Sequence, residues 1–201
     1  MPAADLVTSL RAVVGHDACL VRPEDLFVYE ADGLTLHRAR PRAVVLPREK
    51  TQVARVVKAC RAHGVPFVAR GAGTGLSGGA LALDGGVVIE CALMKRILEV
   101  NLEDRYAELE PGVINLDVSK AVAPHGLFYA PDPSSQAACT IGGNVAENSG
   151  GAHTLKYGTT TDLVLALEVV LPDGEFARFG SPTGWMPGYD LVGAFTGSEG
   201  T

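Results

Sequence analysis

The chain lacks a basic surplus. Its 201 residues carry 17 Lys and Arg against 23 Asp and Glu, a formal net charge of −6, so it offers no electrostatic footprint for nucleic acid. Closely spaced cysteines are missing as well: Cys19, Cys60, Cys91 and Cys139 stand far apart, without a C-x-x-C pair. That argues against a zinc site, any other metal site of this kind, or a disulfide framework. It favours reduced, mostly buried thiols in a cytoplasmic protein. The first residues, MPAADLVTSLRAVVG, show no basic region followed by an apolar core, so no signal peptide is expected. No run approaches the ~18 apolar residues that a membrane span requires, and neither internal repeats nor low-complexity tracts appear.

What remains is ordinary globular composition, 47% hydrophobic and 20% charged. The length suffices for a core in one domain or in two small lobes. Apolar residues at helical spacing from Asp5 to Val14, closed by Gly15, predict a helix. PRAVVLP predicts a buried strand. Thr51 is placed to cap a helix over QVARVVKACRAHG, with Val53, Val56, Val57 and Cys60 on one face and Gly64 ending it. VPFVAR and GGVVIEC follow as strands. The first hundred residues therefore predict a small α/β lobe with parallel pairing.

After about Asn101 the pattern changes. ILEVNLEDRYAELEPG predicts two short strands turning at Glu103–Asp104, and INLDVSKAVAPHG a helix ended by Gly126. LVLALEVVLPDGEFARF predicts a hairpin. The expected fold class is α+β: a partly parallel lobe over 1–100 and a mainly antiparallel lobe over 101–201. The sequence stops at TGSEGT, inside a Gly-rich turn, so a C-terminally truncated domain is expected.

RGAGTGLSGGA, Arg70 to Ala80, contains a literal G-x-G-x-x-G. A Rossmann unit would need the glycines to lead into a crossover helix whose N-terminus holds a pyrophosphate. Only ALALD separates Gly79 from Gly85, fewer than the ten or more residues such a helix needs. Glu90 could imitate a ribose-binding acid but ends the wrong kind of unit. The alternatives are a flexible connection or a nest, in which consecutive backbone N–H groups converge on an anion and Thr74 and Ser77 add hydroxyls. A second stretch, Tyr129 to Gly158, is long, irregular and rich in Gly, Asn and Ser. Its polar groups (Ser135, Thr140, Asn144, Asn148) call for partners if buried. Internal hydrogen bonds are the plain alternative for Asn144 and Asn148.

RGAGTGLSGGA, PDPSSQAACTIGGNVAENSGG, KYG and GSEGT, in that order, resemble the PCMH-type FAD-binding domain of FAD-linked oxidases related to vanillyl-alcohol oxidase. Within that group the resemblance is to the glycolate oxidase FAD-binding subunit and D-lactate dehydrogenase branch. It runs from about Pro41 to Thr201. It implies two lobes with FAD between them, with Gly71, Ala72, Gly73, Thr74, Gly75, Leu76 and Ser77 cradling the pyrophosphate. Pro131, Asp132, Ser135, Gly142, Gly143, Asn144, Asn148 and Gly151 would line the flavin and ribityl chain. Some relatives attach FAD through a histidine in the first glycine loop. Thr74 stands there, so non-covalent FAD is implied, with His125 and His153 as lesser candidates for attachment or catalysis. The implied substrate is a small 2-hydroxy acid. The base and the carboxylate-binding cation would lie in a cap domain absent from this chain, leaving the catalytic residues unassigned. A partner subunit or a homodimer is a further expectation. The alternatives are a non-catalytic FAD-binding module or a UDP-N-acetylenolpyruvylglucosamine reductase-like domain.

Overall fold

The computed structural model describes residues 3–184 and 187–201. The chain divides into two units, 1–94 with 169–177, and 95–168 with 178–201.

The first unit begins with α1 (Ala3–Val14), whose Leu6 and Leu10 are fully buried and which stops at Gly15, φ +90°. β1 (Cys19–Leu20) follows, then α2 (Pro23–Leu26), opened by a proline whose missing N–H is no loss at that position. A 3₁₀ turn over Phe27–Tyr29 leads towards β2 (Ala43–Val45), α3 (Lys50–Ala62), β3 (Phe67–Arg70) and β4 (Val87–Glu90). The sheet order is β1-β2-β4-β3. β1 is antiparallel, and β2 and β3 lie parallel to β4 with Val44 and Val68 both in register with Val88.

Alternation along the strands gives the sheet two apolar faces. Val45, Val87 and Ile89 pack with Leu6, Leu10, Val56, Val57 and Cys60. Val44 and Val88 pack with Leu26 and Ala82. Burying each valine is worth about 1.5–3 kcal/mol, and β4, buried along its whole length, is the axis of the unit.

Helix α3 does not use Thr51 as its cap. Glu49 is the N-cap, its carbonyl accepting from the Val53 amide at 3.3 Å, and Thr51 donates its hydroxyl to the Glu49 carboxylate instead. His63 is the C-cap and Gly64 adopts φ +63°.

The second unit opens with β5 (Ile97–Asn101) and β6 (Tyr106–Leu109), antiparallel with Asn101 opposite Tyr106. α4 (Asn115–Val122) continues as a 3₁₀ turn to His125, and Gly126 takes the left-handed conformation that ends it. The stretch from Tyr129 to Gly158 is less irregular than expected. It contains α5 (Ile141–Glu147) and α6 (Thr154–Tyr157). Thr140 caps α5 by accepting from the Gly143 amide at 3.3 Å, and Asn148 closes it at φ +51°. The glycines obscured a helix whose two ends carry ordinary cap residues. β7 (Ala166–Val170) and β8 (Phe176–Gly180) form the expected hairpin, and α7 (Leu191–Phe195) is capped by Asp190 through the Gly193 amide at 2.8 Å. The hairpin tip belongs to the first unit, where Val170 packs on the core and Glu175 pairs with Lys58 at 2.7 Å.

Candidate functional site

In the first unit, β3 and β4 are joined through the glycine loop. No α-helix leaves this bend; the one regular turn before β4 is a 3₁₀ turn over Leu83–Gly85. The Rossmann arrangement is therefore absent, as the spacing required. Gly73 and Gly78 take φ +66° and +80°, which L side chains resist.

Among the described residues, no protein group accepts from the amides of Ala72, Gly73, Thr74, Gly75, Leu76 and Ser77, and the hydroxyls of Thr74 and Ser77 also lack protein partners. A continuous row of unused donors on an irregular backbone is what an anion requires of a nest.

Three residues that the sequence reading left unassigned hold this loop. Asp32 is buried. It accepts from the Gly78 amide through Oδ2 at 2.7 Å and from the Leu34 amide through Oδ1 at 2.9 Å. The Gly33 amide donates to the Gly75 carbonyl at 3.0 Å, and a Cβ on Gly33 would stand 2.8 Å from the Thr74 carbonyl oxygen. Arg70, itself within the quoted motif, turns its buried guanidinium back under the loop. Nη2 donates to the Ala31 carbonyl at 3.0 Å, and Nε lies 3.7 Å from Glu90 Oε2. The Asp-Gly dipeptide at 32–33 is a turn signal that could have been found; that it would reach the loop is a tertiary fact.

Glu90 is no ribose acid. Its side chain is buried, accepts from the Ala92 amide at 3.1 Å and faces Arg70. Burial pushes its carboxyl up to about 7, with the Ala92 amide and Arg70 acting in the other direction.

In the second unit the remaining candidates cluster around α5. Asn144 is 1% exposed and Asn115 0%, so their amides must find partners inside the unit. Asn115 Nδ2 donates to Asn144 Oδ1 at 2.7 Å and to the Pro131 carbonyl at 3.0 Å. Asn144 Nδ2 reaches Ser149 Oγ and Cys139 Sγ, each at 3.3 Å. Asn115 Oδ1 is buried without a donor. Asn148 Oδ1 accepts from the Thr161 amide at 2.9 Å. Asn115 was missed because a polar residue opening a helix resembles an exposed one in sequence.

Gly142 packs on Pro111, where a Cβ would meet the proline Cβ at 2.7 Å, and its amide donates to the Pro111 carbonyl at 2.8 Å. Beside Gly143 the nearest atom to a Cβ would be Thr140 Oγ1, at 3.4 Å. Gly151 lies so close to the Asp132 backbone that a Cβ would overlap it. Asp132 binds His153 twice, accepting from its amide at 3.1 Å through Oδ1 and lying 2.5 Å from Nδ1 through Oδ2. These two contacts, amide first, hold the Asp132 carboxyl below its usual range. The His153 ring also meets Phe128 and Tyr157, with centroids 6.3 Å away in each case. Ser135 turns the chain by accepting from the Ala138 and Cys139 amides at 2.8 Å, and its hydroxyl lacks a protein partner among the described residues. His125 and Glu147 are exposed at the ends of their helices.

Residues 41–180 match the family described as FAD binding domain. The chain belongs to this family. This FAD binding domain is 51% identical over 203 aligned positions to glycolate oxidase subunit GlcD of Escherichia coli K12, covering 100% of the chain and 41% of that protein. It is 41% identical over 165 positions to D-lactate dehydrogenase of Anaerostipes hadrus, covering 82% of the chain and 34% of that protein. Among solved structures, 4-ethylphenol oxidase from Gulosibacter chungangensis, in its isoeugenol complex, superposes with a TM-score of 0.81 at 25% identity over 96% of the chain and 39% of that protein. The resemblance drawn from the four motifs and the PCMH-type α+β fold are thereby established. The FAD binding domain spans between a third and about two fifths of the length of these relatives. The unpartnered donors of the glycine loop suit a diphosphate, so these residues fit the cofactor that the family is described by, whereas Gly142 and Gly151 pack on protein atoms.

Proposed function

We propose that this chain is the FAD-holding part of a flavin-dependent dehydrogenase or oxidase of small 2-hydroxy acids, of the glycolate or D-lactate type. The single observation that carries the cofactor assignment is the row of unpartnered amides from Ala72 to Ser77, on a loop that no helix follows. The amides of Gly71 to Ser77, with the Thr74 and Ser77 hydroxyls, hold the diphosphate. Pro131, Asp132, Ser135, Gly142, Gly143, Asn144, Asn148 and Gly151 serve the flavin end. Asn144 and Asn148 act there by fixing the backbone through the Asn115, Ser149 and Thr161 bonds. The lobes proposed over 1–100 and 101–201 differ from the compact units in that residues 95–100 fall in the second unit and 169–177 in the first.

Bound FAD supplies the two-electron acceptor. The chain's own residues orient it and keep it dissociable, because Thr74 offers no nucleophile of the imidazole kind. The hydroxy-acid substrate is supported by the two named relatives. A partner subunit is supported by the printed name of the first, which is itself a subunit. Among the described residues no helix is long and apolar enough to cross a membrane, and no group of three or more His, Cys, Asp or Glu could hold a metal. A cytoplasmic location rests on the four unpaired cysteines.

Addition of FAD, NAD or NADPH to the purified chain, followed by gel filtration and a visible spectrum, tests the reading. A flavin band that travels with the protein and is released by denaturant is the expected result. Retention of a nicotinamide instead, or no retained flavin at saturating FAD, would overturn it.

A further inference from the structure

Arg70 is placed unusually for a cation beside an anion site. Its side chain is 7% exposed and does not reach into solvent. It is folded under its own loop, held by the Ala31 and Ala80 carbonyls at 3.0 and 3.4 Å, with the Tyr29 ring centroid 5.6 Å from Cζ. A Cβ on Gly73 would overlap Nη2 and Cζ, so the guanidinium lies directly against the Gly73 backbone. A full positive charge therefore stands one layer of atoms from the amides that have no acceptor. The group that cancels it, the Glu90 carboxylate, is 3.7 Å away and equally buried. Burying such a pair is a poor way to gain stability, because desolvation offsets the attraction. What the pair does provide, beside the buried Asp32 carboxyl group that accepts from the Gly78 amide, is a field at the loop that changes with the protonation of Glu90.

The geometry points to Arg70 as the positioning charge behind the diphosphate loop, with Glu90 setting how much of that charge a bound diphosphate feels. This inference rests on the reading of the loop as the FAD site. It makes FAD affinity depend on the protonation of Glu90: neutral Glu90 leaves Arg70 uncompensated and tightens the complex. The direction of the Glu90 shift supports this, since burial lifts its carboxyl to about 7. The other titratable groups facing it are Tyr29, from the 3₁₀ turn, and Cys91, which follows β4. Burial raises both, Cys91 to about 12, so neither changes charge near neutrality.

The test measures binding of FAD, ADP-ribose and riboflavin to the whole chain at pH 6 and pH 8.5 and constant ionic strength, for the wild type and Glu90→Gln. ADP-ribose carries the diphosphate diester without flavin, and riboflavin carries flavin without phosphate. The wild type should bind FAD and ADP-ribose about three- to tenfold more tightly at pH 6, with riboflavin unchanged. Glu90→Gln should bind tightly at both pH values. If the variant fails to fold, the wild-type comparison decides alone. Equal FAD affinity at the two pH values, or a riboflavin change parallel to that of FAD, overturns the inference while leaving the FAD site intact. Absence of FAD binding at either pH overturns the reading of the loop itself.

Discussion

Gly73 and Arg70 share one volume: the space that a side chain on Gly73 would fill is occupied by the Arg70 guanidinium, three residues back along the same loop. Backbone conformation and packing therefore demand glycine independently, since Gly73 also sits at φ +66°. Gly73→Ala should destabilise the chain by about 1–3 kcal/mol and weaken FAD binding at least about tenfold, because the guanidinium must leave its seat. Gly15→Ala is the control. It has φ +90° but open space around it, so it should lower the melting temperature and leave the flavin titration unchanged.

Asp32 ties the loop to a segment far upstream through the Gly78 and Leu34 amides. Asp32→Ala strands both donors and should cost about 1–3 kcal/mol. Asp32→Asn keeps one acceptor oxygen and should lose less. Urea unfolding of the three proteins gives the stability order, and flavin fluorescence quenching should show the alanine variant with the weakest FAD affinity.

The Asn115–Asn144 pair is buried on all sides. Asn144→Ala takes one acceptor from Asn115 Nδ2, which keeps the Pro131 carbonyl, so it should cost about 2–4 kcal/mol, the sum of a lost hydrogen bond and a small cavity. Asn148→Gly keeps the left-handed residue that ends α5 and loses only the Thr161 contact, so its cost should be below about 1.5 kcal/mol. Thermal melts that rank the two variants in the opposite order would contradict this account of the segment.

Stability should vary with pH in two windows of opposite sign. Glu90 has its carboxyl raised, from 4.5 to about 7. The unfolded chain releases that proton near the lower value while the folded chain keeps it. The stability it contributes is full below about 4.5 and is lost as pH rises through 7, by about 3 kcal/mol. Glu90→Gln should flatten that decline in denaturant midpoints measured from pH 5 to 8. Asp132, whose carboxyl is lowered first by the His153 amide and then by its ring, works the other way. Its contribution is present above the ordinary carboxylate range and disappears as pH falls through its lowered value. Asp132→Asn should remove that acid-side loss without touching the neutral window.

Much of the fold was legible because strand and helix periods are local. The valine runs of β2 and β4, the helix from Lys50 and the Pro-Asp-Gly hairpin each carry their own signal. The glycine loop was legible for a negative reason, the want of room for a crossover helix. Helix α5 was hidden because two glycines in its first turn lower helix propensity by about 1 kcal/mol each. Packing on Pro111 and the buried Asn144 outweigh that penalty. Arg70, Asp32 and Asn115 were passed over for a common reason. Each is a polar residue whose importance comes from being buried against a segment remote in sequence, which spacing cannot reveal.

The return of residues 169–177 to the first unit has a practical corollary for anyone dissecting this polypeptide. Neither half is a contiguous stretch of gene. A clone ending at Met94 would forfeit Val170 from its interior and the Glu175 partner of Lys58. Swapping halves between homologous FAD binding domains therefore demands three crossover points, after residues 94, 168 and 177, and a single-junction chimera would carry a mismatched seam in its first half.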